Sequence, residues 1–166
     1  MSEPFSDIYE TYKTAIYTYL YRSTYDTHIA EELTHDTFMK AFKNIRSFRQ
    51  ESSLKTWLFT IARNTYLSYK EKSATKYETS DEWHERWESG TNDVEAMIER
   101  DSVLFVLSTL TEKERTYIIL RDQQDMTYQE ISEILDEKTG TVKVGIFRAR
   151  KKFKETYRDE FGGIQK

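Results

Sequence analysis

The sequence predicts an all-α protein: two small helical domains joined by an acidic linker, the second containing a helix-turn-helix. Three observations carry this reading. Only five glycines and one proline, Pro4, occur in 166 residues, so helical runs meet few breakers. Apolar residues recur at steps of three and four through most of the chain, the period of a helix with one buried face. Charge is blocked: Lys40 to Lys72 sets eight bases against Glu51 and Glu71, and Lys138 to Arg158 sets eight against Glu155 alone. Between them, Ser73 to Asp101 sets nine acids against three bases. The expected division is residues 1–72, a linker over 73–95, and residues 96–166. The overall charge of −4 conceals two basic surfaces suited to phosphates, separated by a segment that phosphates repel.

The first helix is expected from Phe5 to about Tyr25, with Phe5, Ile8, Tyr9, Tyr12, Ile16, Tyr19 and Leu20 on its core stripe. Its tyrosines read as packing residues with wet hydroxyl tips. Asp26-Thr27-His28 breaks the pattern. A second helix, Ile29 to Ile45, buries Ile29, Leu33, Phe38, Ala41, Phe42 and Ile45. It leaves Glu31, Glu32, His35, Asp36, Met39 and Lys40 for other faces, acids first and bases last, as the helix dipole favours.

A polar loop with one exposed aromatic, Phe48, among arginines, Ile45 to Ser53, follows. Ser52 or Ser53 caps a third helix that turns Leu54, Trp57, Leu58, Ile61, Ala62 and Thr65 inward. Lys55, Thr56, Phe59, Thr60, Arg63, Asn64 and Tyr66 are expected to face outward. Aromatics interleaved with bases suit single-stranded nucleic acid, whose bases stack on rings while cations follow the backbone.

Periodicity lapses from Lys72 to about Thr91, with a helical turn expected around Trp83 and Trp87, and returns with Val94, Met97, Ile98, Leu104, Leu107 and Leu110. Thr111 and Glu114 form a capping box that opens a helix from Glu112 to Asp122. Thr127 and Glu130 form another, opening a short helix with Ile131, Ile134 and Leu135 on one face. After the break Asp136-Glu137-Lys138, Thr139 is expected to cap a second helix with the stripe Val142, Ile146, Ala149 and Phe153. Two helices joined by a short polar turn, the second ending in a basic run, read as a helix-turn-helix. Lys138, Thr139, Thr141 and Lys143 would meet base edges or phosphates, and Arg148, Arg150, Lys151, Lys152 and Lys154 the DNA backbone. Asp159 to Lys166 is expected to fray.

The absence of cysteine excludes disulfides and thiolate metal sites. Glu31, Glu32, Asp36, His28 and His35 offer no partnered ligand set, so no metal and no cofactor is expected. With no membrane-length apolar run and no signal-peptide pattern, the expected location is the cytoplasm, without membrane insertion.

AEELTHDTFMKAF, SFRQESSLKTWLFTIARN, LSTLTEKERTYIILR and MTYQEISEILDEKTGTVKVGIFRARKK stand in order along nearly the whole chain. Together they resemble a bacterial RNA polymerase sigma factor of the small, extracytoplasmic-function type. The resemblance implies a non-enzymatic, stress-responsive transcription factor that directs core polymerase to promoters and assists strand opening. It implies polymerase contact, at the clamp of the largest subunit, through Glu32, Leu33, Asp36, Thr37, Phe38 and Phe42, and a further contact with the flap. It assigns recognition and melting of the −10 element to Phe48, Arg49, Gln50, Ser52, Ser53, Lys55, Arg63 and Asn64, with Trp57 a core residue. Reading of the −35 element falls to Arg115, Thr127, Tyr128, Lys138, Thr139, Thr141, Lys143, Arg148, Arg150 and Lys151. An inhibitory anti-sigma factor, commonly membrane-anchored, is implied as a further partner, and the acidic linker resembles segments that thread the polymerase RNA channel.

Two positions depart from the family pattern. Val144-Gly145 stands where Ser-Arg is common, and a glycine inside a helix costs about 1 kcal/mol relative to alanine. Glu137 occupies what is usually an apolar turn position. Two other classes bear on the same residues. A dimeric DNA-binding regulator would leave a second basic block and the Glu32/Asp36 helix unexplained. A metal-dependent nucleic-acid enzyme would need convergent carboxylates or histidines that the pattern lacks.

Overall fold

The structure, a computed structural model, describes residues 4–76 and 101–162. The expectations for Trp83 and Trp87, for Val94 to Ile98 and for the last four residues lie outside them. Seven α-helices and no strand occur among the described residues. They are α1 (Phe5–Thr24), α2 (Thr27–Asn44), α3 (Leu54–Lys76), α4 (Ser102–Thr109), α5 (Glu112–Ile118), α6 (Tyr128–Leu135) and α7 (Thr139–Phe161).

Local chemistry sets the boundaries. Pro4 precedes α1, where a missing N–H is harmless, and Tyr25 ends it in the left-handed region at φ 60°. The Asp26 carboxylate accepts from the amides of His28 and Ile29 and so caps α2. Ser53, not Ser52, caps α3: its Oγ accepts from the Thr56 amide at 3.0 Å. Both predicted capping boxes are present, Thr111 with Glu114 and Thr127 with Glu130. Helix α5 runs on through Ile119–Gln123 as a wider turn, in which the Gln124 amide reaches back to the Ile119 carbonyl. Thr139 is the first residue of α7 and not its cap. Lys138 holds the cap position, without a side-chain bond. Helix α7 also runs into the segment expected to fray, as far as Phe161, where Phe105 of α4 meets the Phe161 ring edge-on at 5.8 Å.

In the first half, α1, α2 and α3 pack together around Ile8, Ile16, Leu20, Ala30, Leu33, Phe38, Leu58 and Ala62. In the second, α4 to α7 surround Leu107, Ile119, Leu120, Met126, Ile131, Val142 and Ile146. The halves are not separate. One contiguous core runs through both, because α3 packs along α6 and α1 touches α4 and α5.

That junction overturns the expected outward face of α3. Thr56, Phe59 and Tyr66 are buried, with Phe59 fully so against Tyr19 at 5.8 Å. The inward set is correspondingly looser: Leu54, Trp57 and Ile61 are only partly buried. Helix α3 is therefore packed on both sides, with the second half covering the face that amphipathicity assigns to solvent. A second correction concerns Phe42, placed on the buried stripe but 56% exposed, its ring edge-on to Phe5 at 5.1 Å. Among the described residues, no helix is long and apolar enough to cross a membrane.

Candidate nucleic-acid interface

Helix α2 presents Glu32, Asp36, Met39, Phe42 and Lys43 on one exposed ridge, at steps of three and four that stack them on one face. Of the six residues assigned to polymerase contact, Glu32, Asp36 and Phe42 lie on this ridge. Leu33, Thr37 and Phe38 do not: they are buried on the opposite side, where the Thr37 hydroxyl donates to the Leu33 carbonyl. They pack beneath the ridge and support it. Met39, 43% exposed, was not among the assigned residues. Its spacing of three from Asp36 and seven from Glu32 was the signal that could have found it.

The residues assigned to the −10 element divide in two. Arg49, Gln50 and Asn64 are exposed, and Gln50 bends the loop at φ 59°. Phe48, expected as an exposed ring, tilts against Trp57 at 5.0 Å and is half-buried. Ser52 is half-buried, and the Ser53 hydroxyl is committed to the cap of α3.

Lys55 and Arg63 are partly buried and directed at the second half of the chain. Lys55 Nζ donates to the Gln124 carbonyl at 2.9 Å. The Arg63 guanidinium makes two 3.2 Å bonds to the Glu112 carboxylate, with both side chains largely covered. Between them the Thr56 hydroxyl donates to Glu130 at 3.2 Å. The cations meant for a DNA strand are thus spent on the second half of the same chain.

Arg115, assigned to the −35 element, is the clearest correction: it is buried. Its guanidinium donates to the carbonyls of Leu107 and Leu110, each at 3.1 Å, and reaches the Tyr66 hydroxyl at 3.5 Å. It also lies over the Tyr25 ring at 5.4 Å. The arginine thereby satisfies carbonyls at the open end of α4 and touches α3 and the end of α1, joining both halves. Burial pushes the Tyr66 hydroxyl pKa up despite the neighbouring guanidinium, so it stays neutral.

The helix-turn-helix is built as expected around α6 and α7. Lys138, Thr139, Thr141, Lys143, Arg148 and Lys151 are all exposed, and no carboxylate pairs with these four bases among the described residues. Arg150 is instead tied to Asp122, its Nε at 3.1 Å from the carboxylate. Lys152 lies on the side facing α5, bonded to Glu114 at 3.1 Å. Thr127 uses its hydroxyl in the capping box, and Tyr128 is half-buried beneath the Arg121 guanidinium at 5.1 Å.

The two departures from the family pattern are one device. A Cβ on Gly145 would stand 2.4 Å from the Tyr117 ring, so the ring occupies the place of any side chain there. The Tyr117 hydroxyl in turn donates to Glu137 at 2.7 Å, and Lys113 pairs with the other Glu137 oxygen at 3.4 Å. Glycine admits the tyrosine, and the glutamate in the turn anchors it.

Glu130 makes the junction between halves sensitive to acid. The Thr127 amide, opposed by partial burial and aided by the hydroxyls of Thr127 and Thr56 and the charge of Lys55, lowers its pKa below the ordinary 4.5. A carboxylate whose folded pKa is depressed contributes stability above its unfolded pKa, and that contribution is lost as pH falls through the folded value. The urea midpoint of the protein is therefore expected to fall below about pH 4.5. In Glu130→Gln the midpoint should start lower and fall less over the same range. Equal falls in both proteins would assign the acid sensitivity elsewhere.

The family model Sigma-70 region 2 matches residues 8–75, and Sigma-70, region 4 matches residues 100–153. The chain is 31% identical over 154 residues to RNA polymerase sigma factor YlaC of Bacillus subtilis, covering 90% of this chain and 89% of that one. It is also 31% identical over 156 residues to the ECF RNA polymerase sigma factor SigM of the same organism, covering 91% and 93%. Among solved structures it is similar to the sigma factor RpoE of Bartonella quintana, crystallised with the anti-sigma factor NepR. That match has a TM-score of 0.74 and 26% identity, over 91% of this chain and 94% of the other.

Proposed function

Because the chain belongs to the extracytoplasmic-function sigma factors, which direct RNA polymerase to promoters, we propose a division of labour among its exposed surfaces. The α2 ridge of Glu32, Asp36, Met39 and Phe42 binds core polymerase, its acids meeting basic groups on the clamp of the largest subunit. Arg49, Gln50 and Asn64, joined by Lys55 and Arg63 once these are free, engage the melted −10 strand. The start of α7 enters the major groove at the −35 element, with Lys143, Arg148 and Lys151 meeting bases and phosphates. The factor itself catalyses nothing; it acts in the cytoplasm, where polymerase does the chemistry.

The observation that carries this reading is the contrast within α7 and α3. Four cations on the helix-turn-helix stand free, while Lys55 and Arg63 are held by the other half. We read this conformation as a closed one, in which Lys55 and Arg63 of the −10 surface are engaged by the second half while Arg49, Gln50, Asn64 and the −35 surface are open. Promoter opening requires the halves to part along α3 and α6. An anti-sigma factor, the kind of partner crystallised with the RpoE relative, would act by favouring the closed form or by covering the α2 ridge.

Run-off transcription with core polymerase on a library of promoter fragments tests the reading. Specific transcripts that require this protein are expected. Asp36→Arg should cut them about 30-fold or more, the scale of a charge reversal at a contact hot spot, without lowering the melting temperature. Specific duplex binding by a dimer with no polymerase dependence would replace this reading with that of a classical regulator.

A further inference from the structure

The outermost ridge of α7 is apolar. Val144 is 49% and Phe147 70% exposed. Spacing places Gly140, Val144, Phe147 and Lys151 opposite the buried stripe of Val142, Ile146 and Ala149. A Cβ at Gly140 would meet nothing within 4 Å, so the ridge begins bare. Lys143 flanks it on one side, Thr141 and Arg148 on the other, all exposed. Glu137, the acid of the turn, is directed away from it, to Tyr117 and Lys113.

Neither Val144 nor Phe147 can make a hydrogen bond with its side chain, so neither can read a base through donors and acceptors. The one apolar feature on a base edge in the major groove is the C5-methyl of thymine. An apolar pair framed by cations matches a groove floor carrying methyl groups between two rows of phosphates. The geometry points to Val144 as a specificity-determining residue that selects thymine in the −35 element by contact with its methyl group, with Phe147 covering the neighbouring step. This inference rests on the assignment of α7 to the −35 duplex.

The test uses the full chain assembled with core polymerase on a promoter recovered from the transcription library. Each thymine of its −35 duplex is replaced in turn by uracil, which removes the methyl and keeps the pairing. Wild-type holoenzyme is expected to lose about fourfold in affinity at one or two positions, the effect of one methyl group returned to water. Uracil in the spacer should have no effect. Val144→Ser, exposed and of similar helix propensity, should keep the wild-type melting temperature. It should bind thymine and uracil promoters equally, about fourfold weaker than wild type binds thymine; Phe147→Ala should lose the discrimination at the adjacent position. Uracil tolerated everywhere, or a discrimination that survives Val144→Ser, overturns the inference and leaves promoter recognition standing. The inference also fails if Val144→Ser weakens binding to polymerase or another protein while the thymine-to-uracil ratio is kept, since the ridge would then be a protein-docking face. Failure to find any promoter that depends on the chain would overturn the sigma assignment and this inference together.

Discussion

Arg115→Ala is expected to lower the free energy of unfolding by about 3–5 kcal/mol, measured by urea denaturation at neutral pH. The side chain is 8% exposed and serves two carbonyls and a hydroxyl. Removing it leaves the Leu110 carbonyl without this donor and strips the Leu107 carbonyl of one of its two, the other being the Leu110 amide. It also opens a void beside the Tyr25 ring. Arg115→Lys should recover little, because one ammonium on a flexible stem cannot span acceptors that a planar guanidinium reaches together. The loss should show in shape as well as size. Since Arg115 ties α4 and α5 to α3 and the end of α1, its removal should split one cooperative transition into two. A loss under about 1 kcal/mol, within the range of an ordinary surface change, would mean that the guanidinium bonds do not hold this junction.

Gly145→Ala is expected to destabilise the protein by about 1–3 kcal/mol, against the sign that helix propensity alone gives. Propensity favours alanine by about 1 kcal/mol in a helix interior. The Tyr117 ring stands 2.4 Å from the new Cβ and its hydroxyl is pinned by Glu137, so relief requires breaking that bond or shifting α7. In a Tyr117→Leu background the collision is gone, and Gly145→Ala should then stabilise. Denaturation of the four proteins in the cycle measures the inversion as a coupling between the two sites. A stabilising Gly145→Ala in the wild-type background would show that the tyrosine moves aside at no cost.

These two sites also mark where sequence reasoning stopped. Helix order, both capping boxes and the helix-turn-helix were legible because each is local: a period, a hydroxyl and a carboxylate three residues apart, a polar break. The mid-helix glycine was visible as an anomaly, but its reason lay 28 residues earlier in Tyr117, and nothing in either residue names the other. The resemblance assigns Arg115 to the −35 element; its acceptors in the structure are backbone carbonyls, which carry no sequence signature. The polar face of α3 was misjudged for a related reason. Lys55, Thr56 and Arg63 look the same in a sequence whether they meet water, a DNA strand or a second domain. On α2, Leu33, Thr37 and Phe38 were assigned with Glu32 and Asp36 because a contiguous motif does not separate the ridge that touches from the side that supports it.

The clasp between α3 and the second half has a consequence for ionic strength. A cation that leaves water to neutralise a phosphate displaces condensed counterions, and its affinity falls steeply with salt. On the proposed reading, Lys143, Arg148 and Lys151 are of this kind. Arg63 instead leaves one anion, Glu112, for another, and the salt that screens the second attraction also screens the first. Promoter contacts made through α3 should therefore depend less on salt than their number suggests. Those made through α7 should carry most of the slope, so that raising salt releases the −35 duplex before it disturbs the balance at −10.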